Sequence, residues 1–227
     1  MNRKRYTLDD YNKKESFLDA TRFFIVYEGE KEPKYFGTFN NLFFEPKKAS
    51  ILHVFEKDTN VIGSQPKKLI ERAKSFIENP PKNISVTPSS EDKFRFVLDV
   101  DEHPILEFSE LKQYCESLFD ANLFISNFCF EIWLLFHLDD QKNIKCTNSR
   151  ESKTELGEKH TKSKLKNYPK GYLTAEYISK AIERAIEADL NKNDFFPVEK
   201  STKVYLLMQE LLQYSILNNL VEDAKIL

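Results

Sequence analysis

The hydrophobic pattern of residues 22–138 predicts strands that alternate with helices. Residues 23–27 form a continuously apolar, β-favouring run, which is typical of a strand buried on both faces. Glu28-Gly29-Glu30 ends that run abruptly. Pro33 suits the first turn of a helix, and the apolar residues after it follow helical spacing. The start of the organised chain is therefore predicted as strand, acidic turn and helix.

The same unit recurs along the next hundred residues. Three further strands are predicted from short apolar runs: residues 50–56, 94–100 and 123–126. A helix is predicted after each of them: one capped by Ser64-Gln65-Pro66, one beginning near Ser109 and one over residues 128–138. Alternating strands and helices imply right-handed crossovers. We therefore predict an α/β fold with a mainly parallel four-stranded sheet and helices on both faces.

The remaining segments do not show this alternation of strands and helices. Residues 1–21 mix charged and polar types with little periodicity and are predicted as an N-terminal arm before a domain of residues 22–138. Between residues 141 and 170 the chain has nine Lys or Arg against three Glu, so 139–171 is predicted as a basic loop or linker. Two amphipathic stripes behind the cap Thr174 predict a C-terminal helical subdomain over 172–227.

Composition narrows the class of protein. Lys and Arg total 34 against 36 for Asp and Glu, so the overall charge gives no case for nucleic-acid or membrane binding, and any basic footprint must be local. No signal-peptide pattern and no apolar run long enough to span a bilayer is present, so we expect a cytoplasmic protein. The 3 Cys and 4 His lack the spacing of a disulfide framework or a zinc site.

Acidic residues follow two of the predicted buried strands. Glu28 ends the first strand, and Asp99 and Asp101 end the third. Ligands of open parallel sheets bind outside the carboxyl ends of the strands, and side chains two residues apart on a strand point to the same side. Carboxylates this close repel one another unless a cation neutralises them, and Mg²⁺ prefers a few carboxylates plus waters. The alternative is that each residue merely terminates a strand, which is the commoner meaning of any one of them.

Three other features have both a structural and a functional interpretation. Glu131 interrupts a nearly all-apolar segment, where it needs either a basic partner or a role beside the Asp pair. His103 follows the acidic cluster and either contacts a phosphate or is an ordinary loop residue. The basic stretch of residues 141–170 either grips a phosphate backbone or is a solvated linker.

Taken together, the motifs resemble a known family. Three segments carry the likeness, in this order: residues 28–36 (EGEKEPKYF), 98–103 (LDVDEH) and 126–137 (SNFCFEIWLLFH). Residues 168–170 and 201–204 are similar to its closing motifs. The chain thus resembles the RloB family, also known as the AbiLii type, over roughly residues 22–214. It departs from the family pattern where a Thr is missing before the second Glu-Pro of the first motif and where Phe128 replaces a Pro.

The resemblance implies a divergent Toprim fold and assigns roles within it. By similarity, Glu28 matches the Toprim glutamate, Asp99 and Asp101 match the metal-binding D-x-D, and Glu131 matches the family's late acidic position. The catalytic set implied is therefore Glu28, Asp99, Asp101 and Glu131, with Mg²⁺ or Mn²⁺ held by the first three. Residues that stand beside these ligands in the motifs complete the expected site: Glu30, Glu32, Glu102, His103, Ser126 and Asn127. Lysines of the basic stretch are expected to guide the nucleic acid: Lys162, Lys164, Lys166 and Lys170.

The leading functional hypothesis is a metal-dependent nuclease that hydrolyses phosphodiesters of DNA or RNA. Proteins of the RloB type typically act beside an ATPase, RloA or AbiLi, in abortive infection against phage, so the resemblance implies such a partner. Two alternatives remain open. One is a non-catalytic Toprim-like regulatory subunit of the ATPase, and the other is a receiver-like phosphoacceptor, which would need a suitably placed Lys after a later strand.

Overall fold

The structure is a computed structural model that describes residues 20–55, 59–63, 65–81, 84, 92–100, 103–163, 165 and 167–218. Several predicted features lie outside these residues: most of the N-terminal arm, the cap residue Ser64, and the site residues Asp101, Glu102, Lys164 and Lys166.

The described strands form one mostly parallel sheet. They are β1 (Thr21–Tyr27), β2 (Ala49–Val54), β3 (Asp92–Asp99), β4 (Ala121–Asn127) and β5 (Ser201–Thr202), in the order β2-β1-β3-β4-β5. The first four are parallel to their neighbours, and β5 is antiparallel to β4. The prediction of four strands was wrong by one. A two-residue strand has no alternation to detect, and its pairing depends on a contact between remote segments.

Helices cover both faces of the sheet, as predicted. Seven α-helices lie in the described ranges: α1 (Lys31–Phe43), α2 (Pro66–Glu78), α3 (Ile105–Ser117), α4 (Glu131–Phe136), α5 (Ser149–Lys162), α6 (Ala175–Ala188) and α7 (Val204–Gln213). On one face, Phe24 and Val26 of β1 share a hydrophobic core with α2 and α3. On the other, Phe23 and Ile25 share a core with α1 and α4–α7. Strand β1 is therefore buried on both sides, which is why its sequence is continuously apolar.

The basic stretch predicted as a loop or linker contains helix α5. Asn148 caps its N-terminus by accepting a hydrogen bond from the Glu151 amide at 2.9 Å. Ser152 and Leu156 are its buried residues, and Leu156 joins the core shared with α1 and α4. Sequence periodicity missed the helix because a single aliphatic residue gives no stripe.

The C-terminal helices follow their predicted patterns. The Thr174 hydroxyl accepts a hydrogen bond from the Tyr177 amide at 3.3 Å and caps α6 as expected. The predicted apolar stripe of α7 is buried against the sheet. No helix in the described ranges combines the length and the apolar character that crossing a bilayer requires.

Two helix boundaries differ from the predicted ones. Helix α3 begins at Ile105 rather than near Ser109. The apolar pattern did not reveal its first turn, because Ile105 and Leu106 are exposed and do not belong to the buried stripe. Helix α4 is limited to Glu131–Phe136, whereas the apolar segment suggested residues 128–138. Phe128 and Leu138 pack against the core without belonging to the helix, so an apolar sequence does not by itself fix helix ends.

Candidate functional site

The strand order creates a crevice between β1 and β3. The chain passes from β1 to β2 on one side and then returns to add β3 on the other side of β1. At such a switch point the connecting loops diverge, which opens a crevice outside the carboxyl ends of the two strands. Glu28 directly follows β1, and Asp99 is the last residue of β3. The topology therefore places the predicted carboxylates at the position where doubly wound sheets bind ligands.

Glu28 and Asp99 lie against one another. The Oε2 atom of Glu28 accepts a hydrogen bond from the Asp99 backbone amide at 3.1 Å, and its Oε1 atom lies 3.4 Å from Nε2 of His103. The Glu28 amide in turn donates to the Val97 carbonyl of β3 at 3.3 Å. These contacts tie the end of β1 to the end of β3 and to the loop that opens α3.

Glu131 enters the site from the first turn of α4. It is 3 % exposed, and its Oε1 atom accepts a hydrogen bond from Lys31 Nζ at 2.5 Å. The Cys129 thiol, which donates to the Ser149 carbonyl at 3.8 Å, lies near the same carboxylate. Burial acts to raise the pKa of Glu131, but the hydrogen bond from Lys31, with a smaller effect of the Cys129 thiol, outweighs it and holds the pKa below its ordinary value. Glu131 therefore has the basic partner that its apolar surroundings predicted, although that lysine is half-exposed.

Glu32 is a further buried carboxyl group at this site. It is 2 % exposed, and its side chain lies over Gly29: a methyl group added to that glycine would meet Glu32 Oε2 at 2.7 Å. Burial, followed by the nearby charges of Glu131 and Glu28, raises the pKa of Glu32 to about 7. The close approach explains a glycine between two glutamates at the end of β1, because any larger residue would have to displace the Glu32 carboxyl group.

The raised pKa of Glu32 predicts a measurable dependence of stability on pH. The folded protein holds this proton more tightly than the unfolded chain, whose Glu has a pKa near 4.5. The contribution of this proton to the free energy of unfolding is therefore complete below pH 4.5. It is lost as the pH rises from 4.5 through about 7, by about 3 kcal/mol in all. Glu32→Gln should remove this loss, so the variant should gain on the wild type as the pH rises to 8. Urea unfolding in EDTA at pH 4.5 to 8 measures this difference. If the free energy of unfolding changes with pH equally in the variant and the wild type, Glu32 does not have the raised pKa.

The other predicted site residues divide into three groups. Ser126 and Asn127 are buried and anchored to the C-terminal segment, through Thr202 Oγ1 at 2.8 Å and the Pro197 carbonyl at 3.2 Å. These contacts fix the end of β4. Glu30 is exposed, as are Lys162 and Lys170, and none of the three belongs to the buried cluster. Asp101, Glu102, Lys164 and Lys166 lie outside the described residues.

Three residues that sequence reasoning did not assign to the site are found in it: Lys31, Cys129 and Tyr168. The Tyr168 hydroxyl donates to the Lys31 carbonyl at 3.3 Å, which brings the basic segment after α5 to the start of α1. Burial, with smaller effects from Tyr35 and from Glu32, raises the pKa of Tyr168. Lys31 is adjacent to Glu32, and Cys129 is two positions before Glu131. This proximity to predicted site residues was the one sequence signal for their place in the site.

The carboxylates of the candidate site are ligands of the kind that a hard divalent cation prefers, but too few of them lie in the described residues. Carboxylate oxygens from Glu28, Asp99 and Glu131 are the ligands that Mg²⁺ uses, completed by water. Within the part of the chain that the structure describes, no group of three or more His, Cys, Asp or Glu is arranged to hold a metal ion. Asp101, the fourth predicted carboxylate, lies outside that part. The donors are of the type that Mg²⁺ prefers, but the described residues do not by themselves form a metal site.

The fold and site define an α/β protein with an acidic cluster at the switch point of a doubly wound sheet. Comparison with protein families makes this specific: the model of the family described as RloB-like protein matches residues 23–211. The chain belongs to the RloB-like family. Neither the curated proteins nor the solved structures include a match to this chain.

Proposed function

We propose that this protein is a metal-dependent nuclease with a Toprim-like site, which hydrolyses phosphodiesters of DNA or RNA. The observation that carries the proposal is the convergence of Glu28, Asp99 and Glu131, from three separate segments, at the ligand-binding edge of the sheet. Buried acidic groups that repel one another are costly for stability, which favours a functional reason for their arrangement.

In this proposal Asp99, Asp101 and Glu28 hold Mg²⁺ or Mn²⁺, which when bound neutralises charge on the phosphate and lowers the pKa of water. Glu28 is the residue best placed for proton transfer, because its carboxylate already accepts a hydrogen bond and contacts His103. Lysines at the end of α5 and after it are proposed to guide the strand: Lys162, Lys164, Lys166 and Lys170. Tyr168 links that segment to α1. Retention of this cluster favours an enzyme over a regulatory subunit without catalytic activity.

Calorimetric titration with Mn²⁺ tests the metal site. The wild type is expected to bind the ion, and the Asp99→Asn, Asp101→Asn double variant is expected to lose binding because two carboxylate ligands are removed. Asp101→Ala alone should abolish cleavage of labelled DNA and RNA without unfolding the protein, as circular dichroism would show. A variant that lacks both aspartates and still binds the ion would refute this ligand assignment.

We further propose that the protein acts with an RloA-type ATPase in abortive infection, a role implied by the RloB-like family. Co-expression with an RloA-type ATPase, followed by sequencing of cleaved DNA and RNA ends, would identify the substrate. Cleavage with Asp101→Ala in place of the wild type is the matched control. Ends that appear equally with both proteins would show that another enzyme produced them.

A further inference from the structure

The two sides of the sheet differ in how their outer backbone groups are satisfied. Strand β2 forms one edge, and the chain itself closes that edge. The Ile51 amide, which points away from β1, donates to Asn40 Oδ1 at 3.0 Å, and the Ala49 amide donates to the Glu45 carbonyl at 3.1 Å. Amides that are already bonded cannot pair with another chain, so the β2 edge is protected against the addition of a strand.

Strand β4 lies on the other side of the sheet, and its first half is open. The Asp120 carbonyl accepts a hydrogen bond from the Phe94 amide of β3 at 2.8 Å, and successive residues of a parallel strand bond to opposite sides. Ala121 and Leu123 therefore direct their N–H and C=O groups away from β3. In the described part of the chain, β5 pairs with the last two residues of β4, and no strand lies beside Ala121 or Leu123 on that side. Two donors and two acceptors of the backbone thus face an open edge.

A groove of about 440 Å³ lies at this open edge. Lys112 of α3 lines it from one face of the sheet and Leu206 of α7 from the other, so the groove follows the edge rather than one face. Leu123, Phe195 and Leu206 make its walls apolar, and Leu206 is 41 % exposed although most of α7 is buried. An extended chain in this groove can bury apolar side chains on both sides while its backbone pairs with β4.

The charged side chains that line the groove are engaged within the chain. Two lysines and two carboxylates line it, so their formal charges cancel. Three of the four are in ion pairs: Lys112 with Glu116, Lys203 with Asp189 and Glu210 with Arg95. The fourth, Asp194, accepts a hydrogen bond from the Phe196 amide at 3.1 Å. The groove therefore gives an ionic ligand no electrostatic advantage, whereas its outer backbone groups are complementary to an extended peptide.

We infer that the open edge of β4 is a docking site for an extended, uncharged and mainly apolar segment of a partner protein, which adds a strand beside residues 121–124. A single extended chain fits, because neighbouring strands of a sheet lie about 4.8 Å apart. The edge of a second copy does not, because it is recessed between α3 and α7 in the same way and two recessed edges do not meet. The inference is independent of the proposed nuclease activity, since no residue of the groove belongs to the acidic site.

A synthetic strand tests the inference: the peptide acetyl-Thr-Val-Ile-Val-Thr, labelled with fluorescein through an added C-terminal lysine. Fluorescence anisotropy with the full chain should give a Kd of about 100 μM or tighter. The matched control is the same peptide with its Val and Ile amide nitrogens methylated, which keeps the side chains and removes the backbone donors. It should bind roughly tenfold more weakly or worse, because the hydrogen bonds to β4 are lost.

Two protein variants and hydrogen exchange locate the binding site. Leu206→Asp places a charge in the groove at an exposed position and should weaken binding by roughly tenfold. Ile62→Asp makes the same kind of change at a residue that is 81 % exposed between β2 and α2, and should leave the Kd within about twofold. With the peptide bound, the amides of Ala121 and Leu123 should exchange roughly tenfold more slowly, whereas that of Ile51 should be unchanged because it is already bonded within the chain.

Three results would overturn the inference: equal binding of the methylated peptide, unchanged exchange at Ala121 and Leu123 while the peptide is bound, and no binding at about 1 mM peptide. A concentration-dependent dimer in analytical ultracentrifugation that Leu206→Asp dissociates would overturn it as well, because a second copy would then occupy the edge. Each of these results leaves the nuclease proposal standing, since none of them measures metal binding or cleavage.

Discussion

Glu28→Gln is expected to lower metal-dependent cleavage by a factor of roughly 10² to 10⁴, the range that loss of a positioned proton-transfer group usually costs. Glutamine keeps the size of the side chain, and its carbonyl oxygen can still accept the hydrogen bond from the Asp99 amide. It cannot take a proton from water, and it removes one negative charge from the proposed metal site. The loss should therefore appear in turnover while the fold is retained.

Cleavage rates at saturating Mg²⁺ measure this effect, with circular dichroism to show that the variant is folded. Glu110→Gln is the matched control, because Glu110 is exposed on α3 and belongs to the same residue type. It should cleave at the wild-type rate. Full activity in Glu28→Gln would remove Glu28 from the catalytic set and shift attention to Asp99 and Glu131.

Lys203→Met is expected to destabilise the protein by about 3–5 kcal/mol, the cost of breaking a buried ion pair by removing one partner. The Lys203 side chain is 2 % exposed, and its Nζ atom donates to both carboxylate oxygens of Asp189, at 2.8 and 2.6 Å, and to the Asn191 carbonyl at 2.9 Å. Tyr205 donates to the same carboxylate at 2.8 Å and the Asn191 amide at 3.3 Å, and these two donors would remain in the variant. Two neutral donors do not neutralise a buried negative charge.

Urea unfolding of the variant at pH 7 tests the prediction. Lys192→Met, which removes an exposed lysine from the neighbouring loop, should change the free energy of unfolding by less than about 0.5 kcal/mol. Adding Asp189→Asn to Lys203→Met should restore part of the loss, because the uncompensated charge is then gone. A Lys203→Met protein as stable as the wild type would mean that water or another cation reaches Asp189.

The parts of the fold that sequence predicted are those governed by local pattern. β1 could be recognised because both of its faces are buried, and α6 could be recognised from the Thr174 cap and its apolar stripe. The position of Glu28 followed from the same reasoning, since parallel strands place their carboxyl ends at one edge of the sheet. For β1, α6 and Glu28, the local sequence pattern and the topology of the sheet lead to the same prediction, so a single sequence was sufficient.

The features that sequence missed depend on contacts between remote segments. Strand β5 forms because Ser201 and Thr202 pair with the end of β4. A segment of two residues has no sequence pattern that predicts such a pairing. The pair between Lys31 and Glu131 joins residues separated by 100 positions. Helix α5 was missed because its support comes from capping and from a single apolar anchor, Leu156, rather than from a stripe. Long-range geometry of this kind has no periodic signal.

The pairing of β5 with β4 also constrains the order in which the sheet can form while the chain is being synthesised. The backbone of β4 ends at Asn127, but its antiparallel neighbour is Ser201–Thr202, so residues 128–200 must leave the ribosome before the sheet can close. Until then Ser126 and Asn127 lack the partners that anchor them, Thr202 and the Pro197 carbonyl. The end of β4 lies next to Asp99 of β3, so the strand beside this carboxylate gains its second neighbour only when a late segment of the chain has been synthesised. A nascent chain that stops before Ser201 would carry its carboxylates on an unfinished sheet.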